Sequence, residues 1–278
     1  MLGRIAVHLN NDNNCERRID VALKLAAQHE AQIVGIYPNE AISGTSFTDN
    51  VVPQDMRTEL NARATKFREK TIELFTNKAS EAGIKFEVRN PRGGQEEALA
   101  LHARFCDLLV MSKADRSDSG GTMLLNLPES VVMAAGRPVL MVPVVGNINS
   151  IGERILYCWD QKREAARAFN DARPFLGLCK ELHILEVNQN ISHMEKSDIQ
   201  PNDFANYCIS LGYTKPNIHI KTTDNIGVGH IILNTAADNA CDLIVMGAYG
   251  HSRMRQWIMG GATRTLMSTM TTPVLLSH

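Results

Sequence analysis

Cys106-Asp107-Leu108-Leu109-Val110-Met111-Ser112 returns as Cys241-Asp242-Leu243-Ile244-Val245-Met246-Gly247, 135 positions further on. Arg137-Pro138-Val139-Leu140-Met141 returns as Thr272-Pro273-Val274-Leu275-Leu276 at the same offset. A repeat of this length signals two domains built alike. A chain of 278 residues has room for two domains of ordinary size. The opening strands correspond as well. Arg4-Ile5-Ala6-Val7-His8-Leu9-Asn10 matches Arg154-Ile155-Leu156-Tyr157-Cys158-Trp159-Asp160, now at an offset of 150. The first copy therefore carries 15 extra residues between its first strand and its Cys-Asp strand. Residues 41–57, with Gly44, Pro53 and several Ser, Thr and Asp, read as the loop that holds them. The short join at 144–150 sets the domains at 1–146 and 150–278.

Apolar runs alternate with helical faces in both copies. In the first, strands are expected at 5–9, 33–37, 84–88, 108–111 and 138–142, with helices at 18–29, 60–82, 96–105 and 126–135. In the second, strands are expected at 155–158, 181–187, 218–221, 243–246 and 274–276, with helices at 164–178, 204–211, 228–240 and 261–270. This alternation predicts an α/β fold: two similar three-layer domains, each with a mostly parallel five-stranded sheet covered on both faces. The final strands, 138–142 and 273–276, would lie at sheet edges, where they could pair with each other. Ligands of such sheets bind beyond the carboxyl ends of the strands, where the strand order reverses. Interest therefore falls on the segments after each first strand and after each Cys-Asp strand.

Composition narrows the class. Lys plus Arg total 29 and Asp plus Glu 30, a formal net charge of −1. No basic tract argues for nucleic acid, no apolar run approaches the length of a membrane span, and the start of the chain has no signal-peptide pattern. The expectation is a cytoplasmic protein. The six cysteines, at 15, 106, 158, 179, 208 and 241, form no CxxC pair and read as small buried thiols. The histidines show no metal-ligand spacing, and no nucleophile elbow is present.

The copies differ where chemistry would sit. The second continues from its Cys-Asp strand through Gly247, Gly250, His251, Ser252, Arg253, Arg255, Gly260, Gly261 and Thr263. Glycine permits sharp turns and close approach of backbone to a ligand, and free N–H groups at a helix start favour phosphate. Ser252 and Thr263 would add hydroxyls, Arg253 or Arg255 charge, and His251 a ring near phosphate. The segment matches neither the dinucleotide fingerprint nor the Walker loop, and as pure structure its glycines could be strand-end turns. The first copy has Ser112, Asp115 and Leu125 in place of Gly247, Gly250 and Gly260, and Asn10 in place of Asp160.

The spacing Gly247-x2-Gly250-x9-Gly260 after an apolar strand, closed by Thr272-Pro273-Val274-Leu275-Leu276, closely resembles the universal stress protein family. The resemblance covers nearly the whole chain as a tandem pair and implies an adenine nucleotide alpha hydrolase-like fold. It implies that ATP or another adenine nucleotide, with or without Mg, is held by the glycine segment and Asp160, with the backbone of Val187 against adenine. It also implies a stress-response or signalling role and a homodimer, with protein partners as a further expectation. The chain departs from the family pattern in one respect: Gly261 stands where Ser or Thr usually follows the third glycine. Trp159 could either stack on a base or crowd it. Asp115 would repel a triphosphate, so the first copy is expected to be a structural partner. An ATP-binding second domain with at most slow hydrolysis competes with a nucleotide-free, dimerising interaction scaffold of the same fold.

Overall fold

The computed structural model describes residues 1–39, 54–113, 126–187, 201–223, 226–248 and 261–278. The chain divides into two compact units, Leu2–Gly136 and Arg137–His278.

The first unit runs β1 (Arg4–His8), α1 (Cys15–His29), β2 (Gln32–Ile36), α2 (Gln54–Glu81), β3 (Phe86–Arg89), α3 (Gln95–Ala103), β4 (Leu108–Ser112) and α4 (Leu127–Ala135). Its strands lie in the order β3-β2-β1-β4 with every pairing parallel. Ile5 stands opposite both Ile33 and Leu108. The chain moves from β1 out to β2 and β3, then returns past β1 to β4. Right-handed crossovers therefore put α1 and α2 on one face and α3 on the other. In keeping with this, α1 packs on α2, and α3 on α4. Ile5 to Val7 and Leu108 to Met111 are fully buried, as strands covered on both faces require.

The second unit runs β5 (Val139–Val142), β6 (Arg154–Cys158), α5 (Arg163–Asp171), α6 (Arg173–Leu176), β7 (Glu181–Val187), α7 (Pro201–Ser210), β8 (Asn217–Lys221), α8 (Val228–Asp238), β9 (Leu243–Gly247), α9 (Gly261–Thr269) and β10 (Val274–Ser277). Its strand order is β5-β10-β9-β6-β7-β8. β6 to β10 are parallel, and β5 pairs antiparallel with β10, Leu140 opposite Leu275. The α/β fold is thus repeated. The first unit keeps β1 to β4, while the run after Pro138 becomes β5 and covers the backbone edge of β10.

The repeated Cys-Asp signature has a local structural cause. Asp107 Oδ2 accepts the backbone N–H groups of Gly3 at 2.7 Å and Arg4 at 3.0 Å. Asp242 does the same for Gly152 at 2.9 Å, Glu153 at 3.1 Å and Arg154 at 3.0 Å. Each aspartate ties the start of its unit's first long strand to the Cys-Asp strand, satisfying N–H groups that no ladder reaches.

Several element limits differ from the sequence reading. The helix expected over 164–178 breaks into α5 and α6, because Pro174 cannot donate to the carbonyl of Asn170 and its ring crowds it. α2 starts at Gln54, before the periodic face begins, and α7 starts with Pro201 in its first turn. The loop expected at 41–57 falls mostly outside the described residues.

The two units also seat their first helices differently. α1 packs on β1, β2 and β4 and against α2, whereas α5 packs on β9 and β10.

Candidate functional site

In each unit the strand order reverses beside the first long strand. β1 lies between β2 and β4, and β6 lies between β7 and β9. A crevice at the carboxyl ends of β1 and β4, or of β6 and β9, is where such a sheet takes a ligand.

In the first unit the crevice is filled from within. Arg18, in the second turn of α1, has a fully buried side chain. Its Nε donates to the carbonyl of His8 at 2.9 Å, and its Nη1 to both Asp12 oxygens at 2.9 Å and to Ser112 Oγ at 2.5 Å. Its Nη2 donates to Asn10 Oδ1. Asn10 Nδ2 in turn donates to Asp12 Oδ2 at 2.8 Å, and the Asn14 N–H to Asp12 Oδ1 at 2.9 Å. The guanidinium therefore bridges the ends of β1 and β4, and each of its nitrogens has an acceptor. Burial opposes ionisation of Asp12, but the charge and hydrogen bonds of Arg18, with help from Asn10, outweigh it and hold the carboxyl below its ordinary value.

His8, at the end of β1, is buried beside this pair. Burial, reinforced by the Arg18 charge and opposed by Asp12, pushes its pKa down to about 3. The folded unit therefore keeps the ring neutral, while the unfolded chain takes up its proton near 6.5. Between those values the unfolded state holds more protons, so stability falls as pH falls from about 6.5 towards 3. Asp12 acts in the same direction: its contribution is present above the ordinary carboxylate pKa and is lost as pH falls through its depressed folded value. His8→Leu is expected to remove up to about 1.4 kcal/mol per pH unit from the slope of stability over pH 4–6. Urea unfolding midpoints across that range measure it, and parallel curves for parent and variant would refute the assignment.

In the second unit the same offsets carry Asp160, Lys162, Ala168 and Gly247. The alignment is supported by burial. Cys15, Arg18, Ile19 and Ala22 are buried on α1, and Ala165, Ala168, Phe169 and Ala172 at the matching places on and just after α5. Ala168 replaces the arginine, so no side chain bridges from that position. Asp160 Oδ1 accepts the Lys162 N–H at 3.1 Å, and Lys162 Nζ stands 3.3 Å from its Oδ2. The Asp160 side chain is 53% exposed. Val187 ends β7, half-buried, with its backbone paired to Lys221 of β8.

Gly247 ends β9 under the first turn of α5. A Cβ there would meet the Glu164 carbonyl carbon at 2.5 Å and the Ala165 nitrogen at 2.6 Å. This glycine is required by helix-on-strand packing, a cause that spacing alone did not reveal. Glu164, with a side chain only 10% exposed, also stands there. A hydrogen bond from Arg163 at 2.6 Å holds its carboxyl below the ordinary value. His278 Nδ1 donates to the Ala248 carbonyl at 3.1 Å and closes the end of this strand pair. Trp159, expected either to stack on a base or to crowd it, stacks on Phe204 of α7, with ring centroids 4.7 Å apart.

Gly261 opens α9. The Thr263 side chain and Gly250, His251, Arg253 and Gly260 lie outside the described residues, as do Asp115 and Leu125. Arg18, Asp12, Ala168 and Glu164 were missed in the sequence. Aligning the copies at an offset of 150 sets Arg18 against Ala168 within an otherwise apolar stripe, and that mismatch was the available signal. Among the described residues no three or more His, Cys, Asp or Glu side chains group to hold a metal. Among them, too, no helix is long and apolar enough to cross a membrane.

The profile of the universal stress protein family matches residues 1–143 and 215–278. The chain belongs to this family. Its architecture is the family's tandem two-domain form. A universal stress protein of Archaeoglobus fulgidus, solved by crystallography, is similar over 99% of this chain and 95% of its own, at a TM-score of 0.71 and 17% identity. A family protein from Arabidopsis thaliana, solved with AMP bound, matches 51% of this chain and 91% of its own, at a TM-score of 0.36 and 15% identity. The curated universal stress protein Slr1230 of Synechocystis is 43% identical over 51 residues, a stretch covering 17% of this chain and 18% of that protein.

Proposed function

We propose that the protein binds one adenine nucleotide per chain, in the second repeat, and that nucleotide state serves a stress-response or signalling role. The observation that carries this reading is the contrast between the two crevices. The first is filled by Arg18 and its four acceptor residues, and the second has Ala168 at that position with Asp160 open beside it. Asp160 would accept hydrogen bonds from ribose hydroxyls or the adenine amino group, and the Val187 backbone would meet the base. Gly247, Gly250, His251, Arg253, Gly260, Gly261 and Thr263 would surround the phosphates, aided by the N-terminus of α9. ATP is the expected ligand, with Mg entering through its phosphates. No base and no positioned water is assigned, so hydrolysis beyond a slow background is not part of the proposal.

Titration calorimetry with ATP tests this directly. One site per chain is expected, and none in the Gly250→Asp variant, which imports the residue that the first repeat carries as Asp115. Two sites per chain would contradict the blocked first crevice. Undiminished affinity in a folded Gly250→Asp protein would remove the glycine segment from the site.

A second reading, a nucleotide-free dimerising scaffold, is favoured by one observation. The first turn of α5 covers Gly247 and brings the Glu164 carboxylate to the strand end, which repels phosphate. Absence of heat with every adenine nucleotide, together with a dimer in light scattering, would decide for it.

A further inference from the structure

We propose that the cleft between α5 and α7 of the second repeat binds a small, uncharged, fused-ring aromatic molecule at a site separate from the crevice between β6 and β9. The cleft has a volume of about 320 Å³ and is lined by Trp159, Ala166, Phe169, Asn170, Phe204 and Tyr207. That volume lies within the range of small-molecule sites. Neither Asp160 nor any residue of β9 lines it.

The cleft has a cause in the packing. In the first repeat, Leu9 and Ile19 occupy the places of Trp159 and Phe169, and both are fully buried. Leu9 and Phe75 of the 28-residue α2 both close on Gly35, and α1 packs against α2. In the second repeat α5 is seated on β9 and β10 instead, and its partner α7 has 10 residues. The space beside Trp159 is left with aromatic walls. Of the chain's 8 Phe, 2 Trp and 5 Tyr, Tyr157, Trp159, Phe169, Phe204 and Tyr207 meet here. That is a third of them, which gives the cleft an aromatic wall.

The lining specifies the chemistry. Trp159 and Phe204 lie nearly parallel at 4.7 Å and 26°, Phe204 and Tyr207 stand edge to face at 6.0 Å, and Phe169 and Tyr207 are 5.6 Å apart. These rings pack on one another, so a guest meets the outward edges and faces of the cluster, where edge contacts and offset stacking favour a flat ring. Ala166 and Asn170 are one helical turn apart on the exposed side of α5. Ala166 leaves the room, and the Asn170 amide offers both a donor and an acceptor at its edge. The Tyr207 hydroxyl accepts from Arg173 Nη2 at 3.4 Å. No lining side chain is itself charged, so the walls offer ring surfaces and an amide rather than a counter-ion, which favours an uncharged guest.

The test uses the full chain with 2-naphthol, quinoline, cyclohexanol and tetramethylammonium as probes, read by calorimetry and by saturation-transfer NMR. 2-Naphthol and quinoline are expected to bind with dissociation constants of roughly 0.1 mM, and the other two at least tenfold more weakly. Ala166→Leu fills the cleft from an exposed helical position with a good helix former. It should weaken 2-naphthol at least tenfold while leaving the melting temperature and ATP binding unchanged. Equal binding of cyclohexanol would reduce the cleft to a greasy surface. Undiminished binding in Ala166→Leu, or no binding of either aromatic at millimolar concentration, would overturn the proposal. Displacement of 2-naphthol by ATP would show that the two sites are one. Because the probes carry no phosphate, the result stands whether or not the nucleotide reading holds.

Discussion

Arg18→Ala should destabilise the first repeat by about 3–5 kcal/mol, the range for removing one partner of a buried, hydrogen-bonded ion pair. The side chain is fully buried and Asp12 is 12% exposed. Truncation leaves the Asp12 carboxylate without its cation and removes a donor from Asn10, Ser112 and the His8 carbonyl at once. Most of the cost comes from the groups left behind, not from the favourable energy of the pair. That logic makes a second variant decisive. Arg18→Met with Asp12→Asn removes both charges and keeps most of the volume, so it should recover more than half of the loss. Two units need not melt together, so the measurement is hydrogen exchange or urea unfolding followed separately in each unit. The loss should fall on Leu2–Gly136. An Arg18→Ala protein with unchanged first-unit stability would show that the guanidinium is not a structural plug. If ATP stoichiometry then rose to two per chain, the plug alone would be what closes the first crevice.

The repeat, the α/β class and the parallel pairing were legible because each rests on local pattern: continuous apolar strands, helical faces and a signature returning at fixed spacing. Even the repeated aspartate was visible, although its cause was not, since Asp107 and Asp242 act on backbone N–H groups about a hundred residues away in sequence. The break at Pro174 is legible too, since a proline inside a helical run ends or kinks it. The arginine plug was harder. Arg18 sits in a helical stripe whose neighbours Ile19 and Ala22 are core residues, and a long charged side chain at such a place usually reaches out to water. Only its alignment with Ala168 marks it. The seat of α5 on β9 and β10 was not legible at all. It depends on how side chains of distant elements fill space, which periodicity does not encode. The same limit applies to the packing cause of Gly247, the close approach of the Glu164 and Ala165 backbone, which no local pattern shows.

Gly247→Ser imports the first repeat's Ser112 and should prove far more costly than its reverse. The new Cβ would lie 2.5 Å from the Glu164 carbonyl carbon and 2.6 Å from the Ala165 nitrogen. Both atoms are backbone, so no rotamer change relieves the clash, and the start of α5 must retreat. Overpacking of this kind costs about 1–3 kcal/mol, occasionally more, and the upper end is expected here. The movement should also travel. Tyr157 Oη donates to the Ala165 carbonyl at 2.9 Å, and Tyr157 stacks on Phe204 at 5.2 Å. A shift of Ala165 should therefore reach the aromatic cluster and change the near-ultraviolet circular dichroism. Ser112→Gly in the first repeat creates no clash and removes one acceptor from Arg18, a loss of about 1 kcal/mol. The comparison is read from thermal melting of the two variants. Equal stabilities would mean that α5 yields freely and that the close approach carries no energetic weight. If the asymmetry appears, Gly247 is required whether or not a nucleotide binds. Loss of ATP binding in Gly247→Ser would then say nothing about phosphate contact, and the nucleotide reading has to be tested at Asp160 and Gly250 instead.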